Sequence, residues 1–148
     1  MTLPDFDPGG CLPPGVHEGT LAEVRTRYGY NPKRRAILEG LSEVLERLAG
    51  KGVQTVWIDG SFVTSKLRPG DVDVVFVPPV GEGPSDWGLL SLSRRHDLKK
   101  FFNVDLWPFP SPQPDKKRPG RTKTILEYFE EDLDGNKKGV ILLGEWLK

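Results

Sequence analysis

Two short runs rich in β-branched and aromatic residues, VQTVWID (53–59) and DVDVVFV (71–77), constrain this chain more than any other feature. Both read as strands. The first closes on Gly60-Ser61, and the second follows Pro69-Gly70 and is stopped by Pro78-Pro79. For Gly60-Ser61 to meet the start of the second strand, the two must run antiparallel. Nine residues, Phe62 to Gly70, suffice for one helical turn and a return.

The flanking sequence supplies helices and further strands. Thr20 followed by Glu23 predicts a capping box opening a helix that closes at Gly29. Asn31-Pro32 starts a second helix, whose Ile37, Leu38, Leu41, Val44, Leu45 and Leu48 recur at helical spacing up to Gly50. Ser85-Asp86 predicts a helix running to about Phe101, NVDLWPF (103–109) a third strand, and Thr122 to Leu133 a last helix with Ile125, Leu126, Phe129 and Leu133 on one face. Gly139–Leu143 reads as a buried strand. Residues 1–19, with four prolines and four glycines, are expected to form a loop arm, and residues 108–121 to lack regular structure. The expected fold is a single α/β (α+β) domain over residues 20–148, a mixed sheet flanked by helices.

Composition narrows the function. A chain of 148 residues buries roughly 68–70% of its unfolded surface and needs no disulfide or metal to fold. The 21 Lys+Arg balance 21 Asp+Glu, which argues against attachment to nucleic acid by bulk charge. One cysteine and two histidines exclude a Cys/His zinc site. No apolar run approaches the roughly 20 residues of a membrane span, and the opening lacks the basic start and apolar stretch of a signal peptide. A cytoplasmic protein is expected.

The chemistry concentrates between Asp59 and Val77. Strand side chains alternate, so Asp71 and Asp73 project from one face, roughly 6.6 Å apart along the chain, while Val72, Val74 and Phe76 point into a core. Adjacent carboxylates repel and call for a cation, and an all-oxygen donor set suits Mg²⁺ or Mn²⁺. Asp105 repeats the arrangement in NVDLWPF, between Val104 and Leu106. Three carboxylates on strands beside a Gly-Ser turn meet the needs of metal-assisted phosphoryl transfer. Gly60 lets backbone approach a phosphate, and Ser61 and backbone N–H groups donate to it. The phosphate-loop motif and the G-x-S-x-G nucleophile elbow are both absent.

Gly-Ser, a short spacer, D-x-D and a later lone Asp on a strand together resemble the DNA polymerase β-type nucleotidyltransferase superfamily, in particular the minimal members of toxin–antitoxin and phage-defence loci. The resemblance implies that Gly60 and Ser61 hold the β- and γ-phosphates of a nucleoside triphosphate, most simply ATP. It implies that Asp71 and Asp73 carry Mg²⁺ (or Mn²⁺), and that Asp105 completes the site and helps activate the acceptor hydroxyl. Where the familiar pattern often has small residues and an arginine after Gly-Ser, this chain has Phe62-Val63-Thr64-Ser65-Lys66, so Lys66 and Arg68 are the candidates for the missing charge. The opening LPPGVHEGTLAEV also resembles the start of a short bacterial and phage group sharing this core, which implies no activity.

Two basic clusters remain. One, Arg94 to Lys100, reads equally well as a solvated helix face. The other follows Asp105 closely, so Lys116, Lys117, Arg118 and Arg121 are candidates for contacting an acceptor, either RNA or a partner protein. Glu127, Glu130, Glu131, Asp132 and Asp134 form a compensating acidic face. The expected activity is transfer of a nucleoside monophosphate to a hydroxyl of RNA or a partner protein. The alternative is a non-catalytic module on the same fold, serving as an antitoxin or regulator.

Overall fold

A computed structural model describes residues 3–79, 87–115, 117–131 and 137–146. The element order is β1 (Gly15–Thr20), α1 (Leu21–Tyr28), α2 (Pro32–Gly50), β2 (Val56–Asp59), β3 (Val72–Phe76), α3 (Arg95–Phe102), β4 (Val104–Pro108), β5 (Gln113–Pro114), β6 (Thr122–Lys123), α4 (Ile125–Phe129) and β7 (Gly139–Gly144). Five strands form a mixed sheet in the order β1-β7-β2-β3-β4, and β5-β6 form a separate small sheet. The architecture is the expected mixed sheet flanked by helices. β2 pairs antiparallel with β3, as the Gly-Ser and D-x-D positions require, and β3 pairs parallel with β4. No described helix is long and apolar enough to cross a membrane.

Helix boundaries follow local chemistry. Asn31 Oδ1 accepts from Arg34 N at 2.9 Å, with Pro32 in the first turn, so α2 begins where its missing donors are satisfied. Its leucine stripe is buried against Val56, Ile58, Val74, Phe76, Val104 and Leu106 of the sheet. Thr20 caps α1 by accepting from Glu23 N at 3.0 Å. The other half of the expected capping box is diverted: the Glu23 carboxylate accepts instead from Leu3 N. At α4 the capping box is complete, with Thr124 and Glu127 bonded reciprocally at 3.0 and 3.1 Å.

Four expectations are corrected, the first being that residues 108–121 lack regular structure, since Gln113–Pro114 form a short strand there. The loop arm is largely built in, because Gly15–Thr20 pairs parallel with β7 over its whole length. Leu3 and Leu12 are buried in the main core, and Gly139 N donates to Leu12 O at 2.9 Å. The helix expected to run to Phe101 is broken: two 3-10 turns, Gly88–Leu90 and Leu92–Arg94, precede α3. Ser91 stays extended between them, its hydroxyl accepting from Trp87 N at 3.1 Å, while Trp87 and Leu90 enter the core. Ser85 and Asp86 lie outside the described residues. The last helix is shorter than expected, since Thr122–Lys123 pair with Gln113–Pro114 and Glu131 bridges to Lys137; Leu133 lies outside the described residues.

α2 meets the end of α3 at a very close approach. A β-carbon on Gly40 would lie 1.8 Å from the carbonyl oxygen of Phe102. Gly→Ala inside a helix ordinarily stabilises by about 1 kcal/mol. Gly40→Ala should instead destabilise by about 1–3 kcal/mol through backbone overpacking, read as a lower urea midpoint at unchanged slope. An unchanged or higher midpoint would show that the helices separate freely.

Candidate active site

Residues in register on neighbouring strands present their side chains on the same face. Asp59 of β2 lies opposite Asp73 of β3, and Asp73 lies opposite Asp105 of β4. Three carboxylates therefore form a row across three adjacent strands, at the roughly 4.8 Å strand spacing. Asp71 joins them from two residues before Asp73. Val72, Val74 and Phe76 fill the opposite, helix-covered face with exposures of 0%. Asp71, Asp73 and Asp105 are thus brought together as the alternation predicts. Asp59, which the sequence presents only as a strand end, is a fourth member; the signal for it was the antiparallel register itself.

Gly60 sits directly beneath Asp73. Its φ is +85°, and a β-carbon there would lie 1.9 Å from Asp73 Oδ2, so glycine is required on two counts. Ser61 opens the 3-10 turn Ser61–Val63. Arg34, fully buried, holds the loop that follows. Its Nη1 donates to Phe62 O at 2.8 Å, its Nη2 to Thr64 O and, at 2.7 Å, to Lys66 O, and its Nε to Lys66 O at 3.2 Å. The guanidinium also stacks on Tyr30 and Phe62, at 4.6 and 5.1 Å from the ring centroids. From the other side Gly10 O accepts from Ser65 N at 2.8 Å, and Cys11 bridges to Thr64. The Gly-Ser loop is thus clamped between α2 and the opening segment.

Three of the four carboxylates have a cation partner. Arg95 Nε contacts Asp105 Oδ1 at 2.7 Å while its guanidinium lies 4.2 Å over the Trp107 ring. Lys99 Nζ lies 3.0 Å from Asp71 Oδ2, and Lys138 Nζ 3.7 Å from Asp59 Oδ1. Asp73 makes no ion pair among the described residues. Arg95 and Lys99 belong to the basic run that read equally well as a solvated face; their spacing of four places both on one side of α3.

The remaining candidates are less engaged. Lys66 and Arg68 are exposed and form no ion pair among the described residues. Lys117 pairs with Glu131 at 3.6 Å and Arg118 with Asp115 at 3.8 Å, while Arg121 is exposed and Lys116 lies outside the described residues. Glu131 also gathers Lys123 and Lys137, at 3.6 and 3.4 Å. Asp132 and Asp134 of the expected acidic face lie outside the described residues.

Residues 4–143 match a family described as "Family of unknown function (DUF6932)". The chain belongs to the DUF6932 family. No curated protein and no solved structure matches it.

Electrostatics set this DUF6932 site apart from the rest of the surface. Burial, then Asp71, Asp105 and Asp59 in turn, push the Asp73 carboxyl up to about 8. Burial pushes Asp59 up to about 7 against the pull of Lys138, and neither of its oxygens has a hydrogen-bond partner. Asp71 beside it pushes the Lys99 ammonium up. Among the described residues no three side chains of His, Cys, Asp or Glu converge closely enough to hold a metal ion as they stand. The donor set nonetheless suits a hard cation in kind. It is all carboxylate oxygen, its central member lacks a counter-charge, and Asp59 is wholly buried with its oxygens unsatisfied.

Raised carboxyl values mean that the folded protein keeps protons the unfolded chain releases above about pH 4. The associated stability is complete below that pH and is lost as pH rises towards 7 and 8. Asp73→Asn, of equal size and uncharged, should stabilise the protein by about 1–2 kcal/mol at pH 8.5 and by little at pH 5, read from urea unfolding at both. An equal effect at the two pH values would exclude the raised carboxyl.

Proposed function

We propose that this protein is a metal-dependent nucleotidyltransferase, moving a nucleoside monophosphate from a triphosphate, most simply ATP, to a hydroxyl of RNA or a partner protein. The observation that carries the reading is the row Asp59–Asp73–Asp105, joined by Asp71, with the Gly60-Ser61 turn packed directly beneath Asp73. The likeness of Gly60-Ser61, Asp71-Val72-Asp73 and Asp105 to the nucleotidyltransferase pattern supports the same reading, and with it we propose a cytoplasmic protein of a toxin–antitoxin or defence system.

In the proposed reaction the acceptor oxygen attacks the α-phosphorus, the bond from that phosphorus to the bridging oxygen breaks, and pyrophosphate leaves. Asp71, Asp73 and Asp105 would hold Mg²⁺ or Mn²⁺, which when bound neutralises phosphate charge and lowers the pKa of the acceptor hydroxyl. Gly60 brings the backbone close to the β- and γ-phosphates, and the Ser61 hydroxyl donates to them. Arg34 and the opening segment keep that loop from moving when the phosphates arrive, so little ordering cost falls on binding. Arg95 holds Asp105 by Oδ1, leaving Oδ2 to face the acceptor hydroxyl and its proton. Lys66 and Arg68, on the loop after Ser61, are free to reach phosphate oxygens, and Lys117, Arg118 and Arg121 lie on the segment proposed to meet the acceptor.

The second reading, a non-catalytic module on the same fold, is favoured by the pairing of Asp71 and Asp105 with the protein's own cations. Transfer separates the two. Incubated with α-labelled nucleotides, Mg²⁺ or Mn²⁺, and RNA and protein fractions counted separately, the intact chain should label one fraction. The Asp71→Asn, Asp73→Asn pair should lose at least about a hundredfold of that transfer, the scale on which removing one electrostatic group in a site acts. Undiminished labelling by the double variant would sink the mechanism, and no labelling with any of the four nucleotides would favour the module.

A further inference from the structure

The four carboxylates and three cations of the site do not balance, and the three pairs differ in how far they are enclosed. Arg95 is stacked on Trp107 and only 27% exposed, against an Asp105 side chain exposed by 10%. Lys138 is 12% exposed against the wholly buried Asp59. Both pairs are enclosed, and each leaves its carboxylate neutralised. Lys99 differs: its side chain is 47% exposed, it stacks on no ring among the described residues, and its partner Asp71 is itself 17% exposed. A long lysine stem held at one end by a partly exposed carboxylate loses little by letting go. With Lys99 released, and with Asp73 giving up its proton as the ion enters, Asp71 and Asp73 together supply two negative charges, the complement of one divalent cation.

Resting on the reading above, we propose that Lys99 is an exchangeable counter-ion of the nucleotide site. It caps Asp71 in the empty protein, and moves onto phosphate oxygens when a divalent cation enters together with a triphosphate. The site thereby rejects the bare ion and accepts the metal–nucleotide complex. Asp59 supports a cation at this place independently of the outer carboxylates. It is wholly buried and in register with Asp73, neither of its oxygens forms a hydrogen bond, and its one counter-charge among the described residues, Lys138, stands off at 3.7 Å. Arg95, fixed on its ring, serves as the positioning residue for Asp105 and stays in place through the exchange.

Mn²⁺ binding, followed by the resonance of the free ion, tests this without turnover. Wild type, Lys99→Met and Lys100→Met are compared, first with Mn²⁺ alone and then with Mn²⁺ and a non-hydrolysable triphosphate. Lys100 is exposed on the same helix and pairs with no carboxylate among the described residues, so it reports the effect of net charge alone. Removing a unit charge a few ångströms from the ion should tighten binding of Mn²⁺ alone by about tenfold in Lys99→Met. Binding of the metal–triphosphate complex should weaken several-fold in the same variant, and Lys100→Met should change neither by more than about twofold. Lys99→Met that leaves Mn²⁺ affinity unchanged, or Lys100→Met that shifts it equally, overturns the exchange even if nucleotide transfer is observed. Mn²⁺ binding by no form of the protein, together with absence of transfer, overturns the nucleotidyltransferase reading itself.

Discussion

Strand register is the constraint on which the rest of this molecule depends. β2, β3 and β4 carry their apolar residues at alternate positions, and the pairing Asp59–Asp73–Asp105 is the one that keeps Ile58, Val74 and Leu106 together on the helix-covered face. A slip of one residue in β3 would bury Asp73 among those side chains and turn Val72 and Val74 outward. The apolar face therefore selects the register, and the register assembles the carboxylates. Burial of hydrophobic surface does the positioning that the carboxylates, repelling one another, could not do for themselves.

The loop beside the row is fixed by different means. Arg34 is buried without a carboxylate partner, which would be costly if its donors were not met by the carbonyls of Phe62, Thr64 and Lys66. A carboxylate in their place would neutralise Arg34 but leave those carbonyls unpaired; with carbonyls alone the positive charge is kept behind the loop. The opening segment adds a second wall. Gly10 has a φ of +81°, and a β-carbon there would lie 2.2 Å from Ser65 Oγ, so the segment touches the loop as closely as backbone allows. Arg27 in turn ties that segment to α1, Nη1 donating to Leu3 O at 2.6 Å. Gly60 is thus immobilised by contacts from segments far earlier in the chain.

What the sequence made legible was whatever periodicity and capping encode locally. α2 announces itself through Asn31-Pro32 and its leucine stripe, and the strands through β-branched alternation. Asp71, Asp73 and Asp105 emerge from that alternation because each stands among apolar residues that must face the other way. The parts not legible depend on pairings between distant segments. Nothing in GVHEGT marks it as a strand until β7 offers it an edge, and Glu23 looks like a capping residue until Leu3 takes its carboxylate. Ser91 breaks the expected third helix because its hydroxyl satisfies Trp87 N and lets Trp87 reach the core, a gain invisible without the core. Asp59 and Lys138 are far apart in the chain and meet only through β2 and β7.

The distribution of charge links this architecture to its chemistry. Most proteins spread ion pairs over the surface, where each contributes little. Here Arg95 and Lys99 of α3 and Lys138, just before β7, converge on the same row of acids, and Asp73 at its centre makes no ion pair among the described residues. A carboxylate kept unpaired and half-buried lowers stability at neutral pH, and the pull of Lys138 relieves it only in part. The sheet can carry that cost because its main core lies on the opposite face, where α2 and the strands bury their aliphatic side chains. Separating the face that holds the fold together from the face that carries unbalanced charge lets the charge be set by chemistry rather than by folding. On such a sheet the cation entry proposed above would alter the charge of the acids and leave the core beneath them unchanged.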